Sequence, residues 1–80
     1  MENELGRELM AHELKERTVV VLQKEGRPMF TSWVSIIEDH FVAFTAGVTK
    51  TTLLLKRNSD GTLEDDTPAR IKVFEYLGEV

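Results

Sequence analysis

The 80-residue chain contains no cysteine. That excludes disulfide staples, thiolate metal sites and a cysteine nucleophile, and it fits a reducing compartment. Histidine is nearly as scarce: His12 and His40 are the two present. Their neighbours form no ligand spacing, so neither a metal nor a cofactor is expected. Nowhere do the roughly 18 apolar residues needed for a membrane-spanning helix run together. The opening Met1-Glu2-Asn3-Glu4 is acidic, where a secretory signal has positive charge and then an apolar run. The chain therefore reads as soluble and cytoplasmic, a single domain over residues 1–80, with no membrane partner.

A domain this small buries only about 60% of its unfolded surface. Disulfides, metals and oligomerisation are the usual means of making up the deficit. With the first two absent, oligomerisation is the route left.

The net charge of −4 is unevenly placed. Residues 1–17 hold five acids and three bases, a net −2. Residues 18–57 hold three acids and five bases, a net +2. Residues 58–80 hold six acids and two bases, a net −4. Duplex nucleic acid normally selects a stronger positive footprint than this, whereas a modest basic rim suits a single strand.

Residues 3–17 are predicted to form a helix. Asn3 is a capping type, acids occupy the first turn, and Lys15 and Arg17 occupy the last. Leu5 and Leu9 lie about 40° apart on such a helix, with Met10 and Leu14 nearly opposite, so the helix would touch the body or a neighbouring subunit on two sides. From Thr18 the chain turns β-rich. Strands are predicted over 18–23, 29–37, 41–46, 51–56 and 70–77. Turns fall at 24–28, where Gly26 and Pro28 break the ladder, at Glu38-Asp39 and at 47–50. Residues 57–69 read as a polar, acidic loop. The fold class is mainly β (α+β): an N-terminal helix, then a five-stranded, strongly bent antiparallel sheet over 18–77, or a small barrel.

In the second strand Phe30, Val34 and Ile36 share one parity, and Met29, Trp33 and Ile37 share the other. A sheet with one wet face keeps its large apolar residues on a single parity. Two-sided apolarity recurs at 19–22, 41–44 and 53–55, so the outer face needs cover. A second copy of the chain is the expected cover, making the protein a homo-oligomer.

The catalytic constellations fail on spacing. Residues 46–52 have the Lys50-Thr51 of a phosphate-binding loop, but Thr49 stands where glycine is needed and a β-forming run follows. Aligning Gly61 with the glycine of an EF-hand puts Lys56 and Thr67 at ligand positions. Glu38 and Asp39 adjoin His40 in a turn that does not orient them for acid–base work. Ser32, Ser35 and Ser59 lack a nucleophile elbow. The chain reads as non-catalytic. In the last strand Ile71, Val73 and Leu77 would face the core, leaving Phe74 and Tyr76 outward near Arg70 and Lys72. There they would stack on bases, anchor a protein, or pack at a helix or subunit contact.

The segment Leu14-Lys15-Glu16-Arg17-Thr18-Val19-Val20-Val21-Leu22-Gln23-Lys24-Glu25-Gly26-Arg27, followed by Val34-Ser35-Ile36-Ile37-Glu38-Asp39-His40-Phe41, resembles the first half of Sm-like proteins. The resemblance implies a five-stranded SH3/Sm-like barrel, ring assembly and binding of single-stranded RNA. Thr31-Ser32 stands where that family has the glycine that bends the second strand, and Val42 lies near its RNA-contacting asparagine. The leading expectation is a self-associating binding or assembly module. On single-stranded RNA, Lys24, Arg27, Lys50 and Arg57 would contact phosphates, and Trp33, Phe74 or Tyr76 would stack. The alternative is a small acidic protein-interaction factor acting through Glu64, Asp65 and Asp66 together with the exposed aromatics, without nucleic acid.

Overall fold

The computed structural model describes residues 3–25, 29–47, 49–67 and 69–79. Among them, seven strands form one antiparallel sheet: β1 (Asn3–Leu9), β2 (Val19–Lys24), β3 (Phe30–Ile37), β4 (Phe41–Ala46), β5 (Thr52–Arg57), β6 (Leu63–Glu64) and β7 (Arg70–Glu79). The order β7-β2-β3-β4-β5-β6 closes on itself where β6 pairs with β7, giving a six-stranded barrel. β1 is the seventh strand and lies outside that ring, on β7. The expected turn with Gly26, Arg27 and Pro28 lies outside the described residues.

Strand positions for β2, β3, β4, β5 and β7 follow the sequence pattern, but three expectations need correction. First, residues 3–17 are not a helix. They form β1 and a single 3-10 turn, Ala11–Glu13. β7 runs for ten residues, so its edge beyond β6 offers a long row of backbone groups, and β1 satisfies them from Val73 to Glu79. Helix propensity is a weak prior that such pairing overrides, and Gly6 weakens it further. Gly6 also permits close approach: a Cβ there would lie 2.5 Å from the Cβ of Glu75. The surviving helical turn is held by the Met10 amide donating to Glu13 Oε1 at 2.9 Å. It ends at Leu14, which is extended, and at Arg17, whose φ is 67°.

Second, the ring has six strands rather than five, because the acidic loop contains β6. That strand is only two residues long, and its cross-strand partners are distant in sequence: Leu63 opposite Arg57 and Ile71, and Glu64 opposite Lys56 and Arg70. Third, Leu77 does not join the core. Ile71 and Val73 are buried, but Leu77 lies past the ring on the β1–β7 ribbon and is exposed.

The core fills the barrel with alternate residues of each strand: Val20 and Leu22, Val34, Val42 and Phe44, Leu55, Leu63, and Ile71 and Val73. Ala11 and Leu14 join it from the 3-10 turn. That turn is tied down by the Ala11 amide, which donates to the Gly61 carbonyl at 2.8 Å. Gly61 has φ of 90°, a left-handed conformation that glycine adopts without steric penalty.

β3 bends by a bulge, without a glycine. Its register against β4 shifts between Val34 and Ile36, so one extra residue resets the alternation. Val34 faces in opposite Phe44, Ile36 faces out opposite Ala43, and Ile37 is again inward opposite Val42. This explains why large apolar residues occupy both parities of β3. Among the described residues, no helix is long and apolar enough to cross a membrane.

Candidate functional site

Alternation makes the outer surface of the barrel as legible as its core. On β2 the outward residues are Val19, Val21 and Gln23. On β3 they are Thr31, Trp33, Ser35 and Ile36. β4 turns out Phe41, Ala43 and Thr45, and β5 turns out Thr52, Leu54 and Lys56. Lys56 alone is charged in this set, in a chain in which 30% of residues are charged. Register places the apolar members side by side: Val19 opposite Trp33, and Ile36 and Leu54 on either side of Ala43. Trp33 is 38% exposed, Val19 40%, Ile36 48% and Leu54 61%.

Two outward residues are nonetheless sealed. Val21 lies opposite Thr31 and Phe74, and Ala43 lies between Ile36 and Leu54. Both are buried, yet neither belongs to the central cluster. The outer face thus has small apolar layers of its own. Hydroxyls occupy the positions between: Ser35 and Thr45 hydrogen-bond to each other across β3 and β4. The indole of Trp33 reaches Gly47 at the end of β4, where an added Cβ would meet it at 3.4 Å.

Several charged side chains are paired with one another. Arg70 meets Glu8 at 3.5 Å, and Arg7 meets Glu13 at 2.6 Å and Glu75 at 3.6 Å, while at the β5 margin of the outer face Lys56 meets Glu64 at 3.6 Å. The backbone amide of Met10 and then the Arg7 guanidinium hold the Glu13 carboxyl below its ordinary range.

The residues expected to contact phosphates are dispersed. Lys24 ends β2 and its Nζ lies 2.9 Å from Asp65 Oδ2. Arg57 ends β5, and its guanidinium donates to the Glu38 carbonyl at 3.1 Å. Lys50 sits in the β4–β5 hairpin with φ of 55°, its amide donating to the Ala46 carbonyl at 2.7 Å. That hairpin is the strand connection the residues suggested in place of a phosphate loop. Arg27 lies outside the described residues. Trp33 belongs to the apolar outer face, and Phe74 borders it through Val21. Tyr76 is half-buried opposite Leu5 on the ribbon.

Nor do the acids form one free patch. Asp65 accepts bonds from the Thr67 amide at 2.9 Å, the Thr67 hydroxyl at 2.6 Å and the Ala69 amide at 2.9 Å. Lys24 foremost, then Thr67 and Ala69, hold its carboxyl well below the usual range. Asp65 is therefore the knot that closes the loop between β6 and β7. Glu64 lies between Lys56 and Arg70 in register, and Asp66 is exposed. Asp60 accepts from both the amide and the hydroxyl of Thr62, which lowers its carboxyl too.

No family model matches the chain, and neither the curated proteins nor the solved structures contain a significant match to it. The site therefore has to be read from its own chemistry. Sequence reasoning anticipated an uncovered outer face but missed its chief property, the absence of charge across β2, β3 and β4. The signal was available at Val19, Trp33 and Thr45. It required the bulge in β3 to be placed before the outward residues could be counted.

Proposed function

We propose that the protein is a non-catalytic SH3/Sm-like barrel that self-associates through the outer face of β2–β5. One observation carries this reading: the outward residues of β2, β3 and β4 include no charge, and in the outward set of β2–β5 the charged residue is Lys56 at the β5 margin, itself paired with Glu64. Interfaces are set apart from ordinary surface by charge depletion and aromatic enrichment at their centre. In a two-fold homodimer a patch meets its own copy. A charged patch would repel itself, whereas this one is electrostatically compatible with itself despite the net charge of −4.

Val19, Trp33, Ile36 and Leu54 leave on the order of 400 Å² exposed, the size of the largest apolar patch on a typical monomer, which is often functional. Two such faces would bury roughly 800 Å², at the small end of interface sizes, so the expected association is concentration-dependent rather than obligate. Sedimentation equilibrium of the wild type and of Leu54→Lys tests the proposal. The wild type should be dimeric or larger at tens of micromolar, and the variant a folded monomer. A wild type that stays monomeric at those concentrations contradicts it.

A further inference from the structure

We infer that the open edge of β5 docks an extended peptide segment of another protein, one with a basic residue opposite Leu54 and an apolar residue opposite Leu53. The hydrogen bonds locate that edge. The Arg57 amide donates to the His40 carbonyl at 2.8 Å, and the Ala46 amide to the Thr51 carbonyl at 3.0 Å. Hydrogen-bonded pairs alternate along an antiparallel ladder, so the odd-numbered residues of β5 bond to β4. Thr52, Leu54 and Lys56 turn their amides and carbonyls to the other edge. β6 takes up Lys56, opposite Glu64, but no strand among the described residues pairs with Thr52 or Leu54 on that side. Asp65 is the reason. Its amide donates to the Ala69 carbonyl at 3.0 Å and its carboxylate accepts the Ala69 amide, which turns the chain off the line of β5 toward β7. Thr52 and Leu54 are both exposed, and each offers an amide and a carbonyl.

The sheet's other open edge is guarded and this one is not. β1 carries Arg7 and Glu8 and is broken by two register shifts against β7, devices that discourage strand addition. Thr52, Leu53 and Leu54 are uncharged and keep an unbroken register with β4. A strand laid along them continues the line of β6 and extends the sheet, a recurrent mode of peptide recognition. Its side chain opposite Leu54 would enter a groove of about 570 Å³ lined by His40, Phe41, Leu54, Lys56, Glu64 and Asp66. Lys56 is already paired with Glu64, and Lys24 with Asp65, whereas the exposed Asp66 has no ion pair or hydrogen bond among the described residues. A basic side chain suits these walls, with its stem against Phe41 and Leu54 and its head on Asp66. The residue opposite Leu53 points inward beside that half-buried leucine, which packs against the core, and so is apolar. A second copy's β5 fits less well. With Thr52 opposite the partner subunit's Leu54, each Lys56 would face the other's Lys50, where β6 already stands. The groove adjoins the outer face at Leu54, and backbone chemistry tells the two apart: a copy on the face covers side chains, whereas a peptide on the edge takes up the amides of Thr52 and Leu54.

Nitrogen–proton correlation spectra of the full chain, titrated with the tetrapeptide acetyl-Arg-Val-Thr-Val-amide, test the site. The peptide should shift the amides of Thr52, Leu54 and Asp66 in a saturable way. Replacing its arginine with glutamate should weaken binding about three- to tenfold, as an exposed charge pair turns from attraction to repulsion. Asp66→Lys should reverse that preference. Methylating the arginine's backbone nitrogen should abolish binding. Thr52→Pro removes an amide that β4 does not use, a change an edge strand tolerates, and should abolish it too; should that variant misfold, the methylated peptide carries the same test. None of these outcomes depends on the copies associating. The proposal is overturned if the peptide shifts none of these amides at its highest soluble concentration, if the methylated peptide binds as well as its parent, or if Asp66→Lys leaves the preference unchanged. It is equally overturned if shifts centre on Val19 and Trp33, or if Thr52→Pro lowers the solution mass of the peptide-free protein, which would assign the edge to a second copy.

Discussion

Replacing Gly6 with alanine separates a strand at the N-terminus from a helix by the sign of its effect. In an exposed helix the change should stabilise by about 1 kcal/mol. In β1 the new Cβ would sit 2.5 Å from the Cβ of Glu75, closer than two such carbons can approach. β1 must then move off β7 or the ribbon must distort, and forced overpacking of this kind costs roughly 1–3 kcal/mol. The lower part of that range is expected, because β1 lies outside the barrel ring and can shift without opening the core. For a domain of this size, 1 kcal/mol corresponds to about 4–8 °C in Tm. Thermal unfolding followed by circular dichroism should therefore show a fall of several degrees for Gly6→Ala. Glu75→Gly removes the opposing Cβ, so adding Gly6→Ala to that background should cost much less. Glu75→Gly also breaks the ion pair with Arg7, but that pair is exposed and long, at 3.6 Å, and contributes little. A rise in Tm for Gly6→Ala, or the same loss in both backgrounds, would refute the strand pairing.

Three further outcomes follow from particular contacts. Phe44 is fully buried at the centre of the barrel, and Phe44→Ala should cost about 3–5 kcal/mol, much of the roughly 5–15 kcal/mol typical of a whole domain; urea unfolding should show a largely lost transition. The Asp65 carboxyl is depressed in the folded protein, so its stabilising contribution is present above the unfolded pKa of about 3.9 and is lost as pH falls below that toward the folded value. Asp65→Asn should lower Tm at pH 7 and converge with the wild type in strong acid, whereas an equal gap at every pH would exclude this linkage. With Lys24 on Asp65 and Arg57 on Glu38, a low-salt filter titration with single-stranded RNA should show no binding at tens of micromolar, and tight, salt-sensitive binding would return the protein to the RNA-binding reading.

Much of the barrel is legible in its residues, and the parts that are not share a physical cause. The β-branched run at Val19-Val20-Val21 and the alternation around Val42 and Phe44 locate their strands because local preference and burial agree. At 3–9 they disagree: Leu5 and Leu9 are compatible with either a helix face or a strand parity, and the decision belongs to the open edge of β7, some seventy positions away. β6 is hidden for the same reason, since two residues in a polar loop become a strand only by meeting Lys56 and Arg70. In β3 the residues themselves carry the signal, but the bulge at Ser35 splits it between parities. The surroundings of the candidate phosphate-contacting residues were not legible because a side chain's partner is a tertiary fact: nothing near Lys24 in the chain announces Asp65.

Self-association through the uncharged face is decided by the solution mass of the wild-type chain and of Trp33→Glu, followed by light scattering from micromolar to about a hundred micromolar. Trp33 lies at the middle of the uncharged face, opposite Val19 and Thr45, and is exposed enough that the variant should retain its fold. The wild type should form a concentration-dependent dimer or larger assembly, and the variant should stay monomeric across the whole range. Identical masses for the two proteins would contradict it.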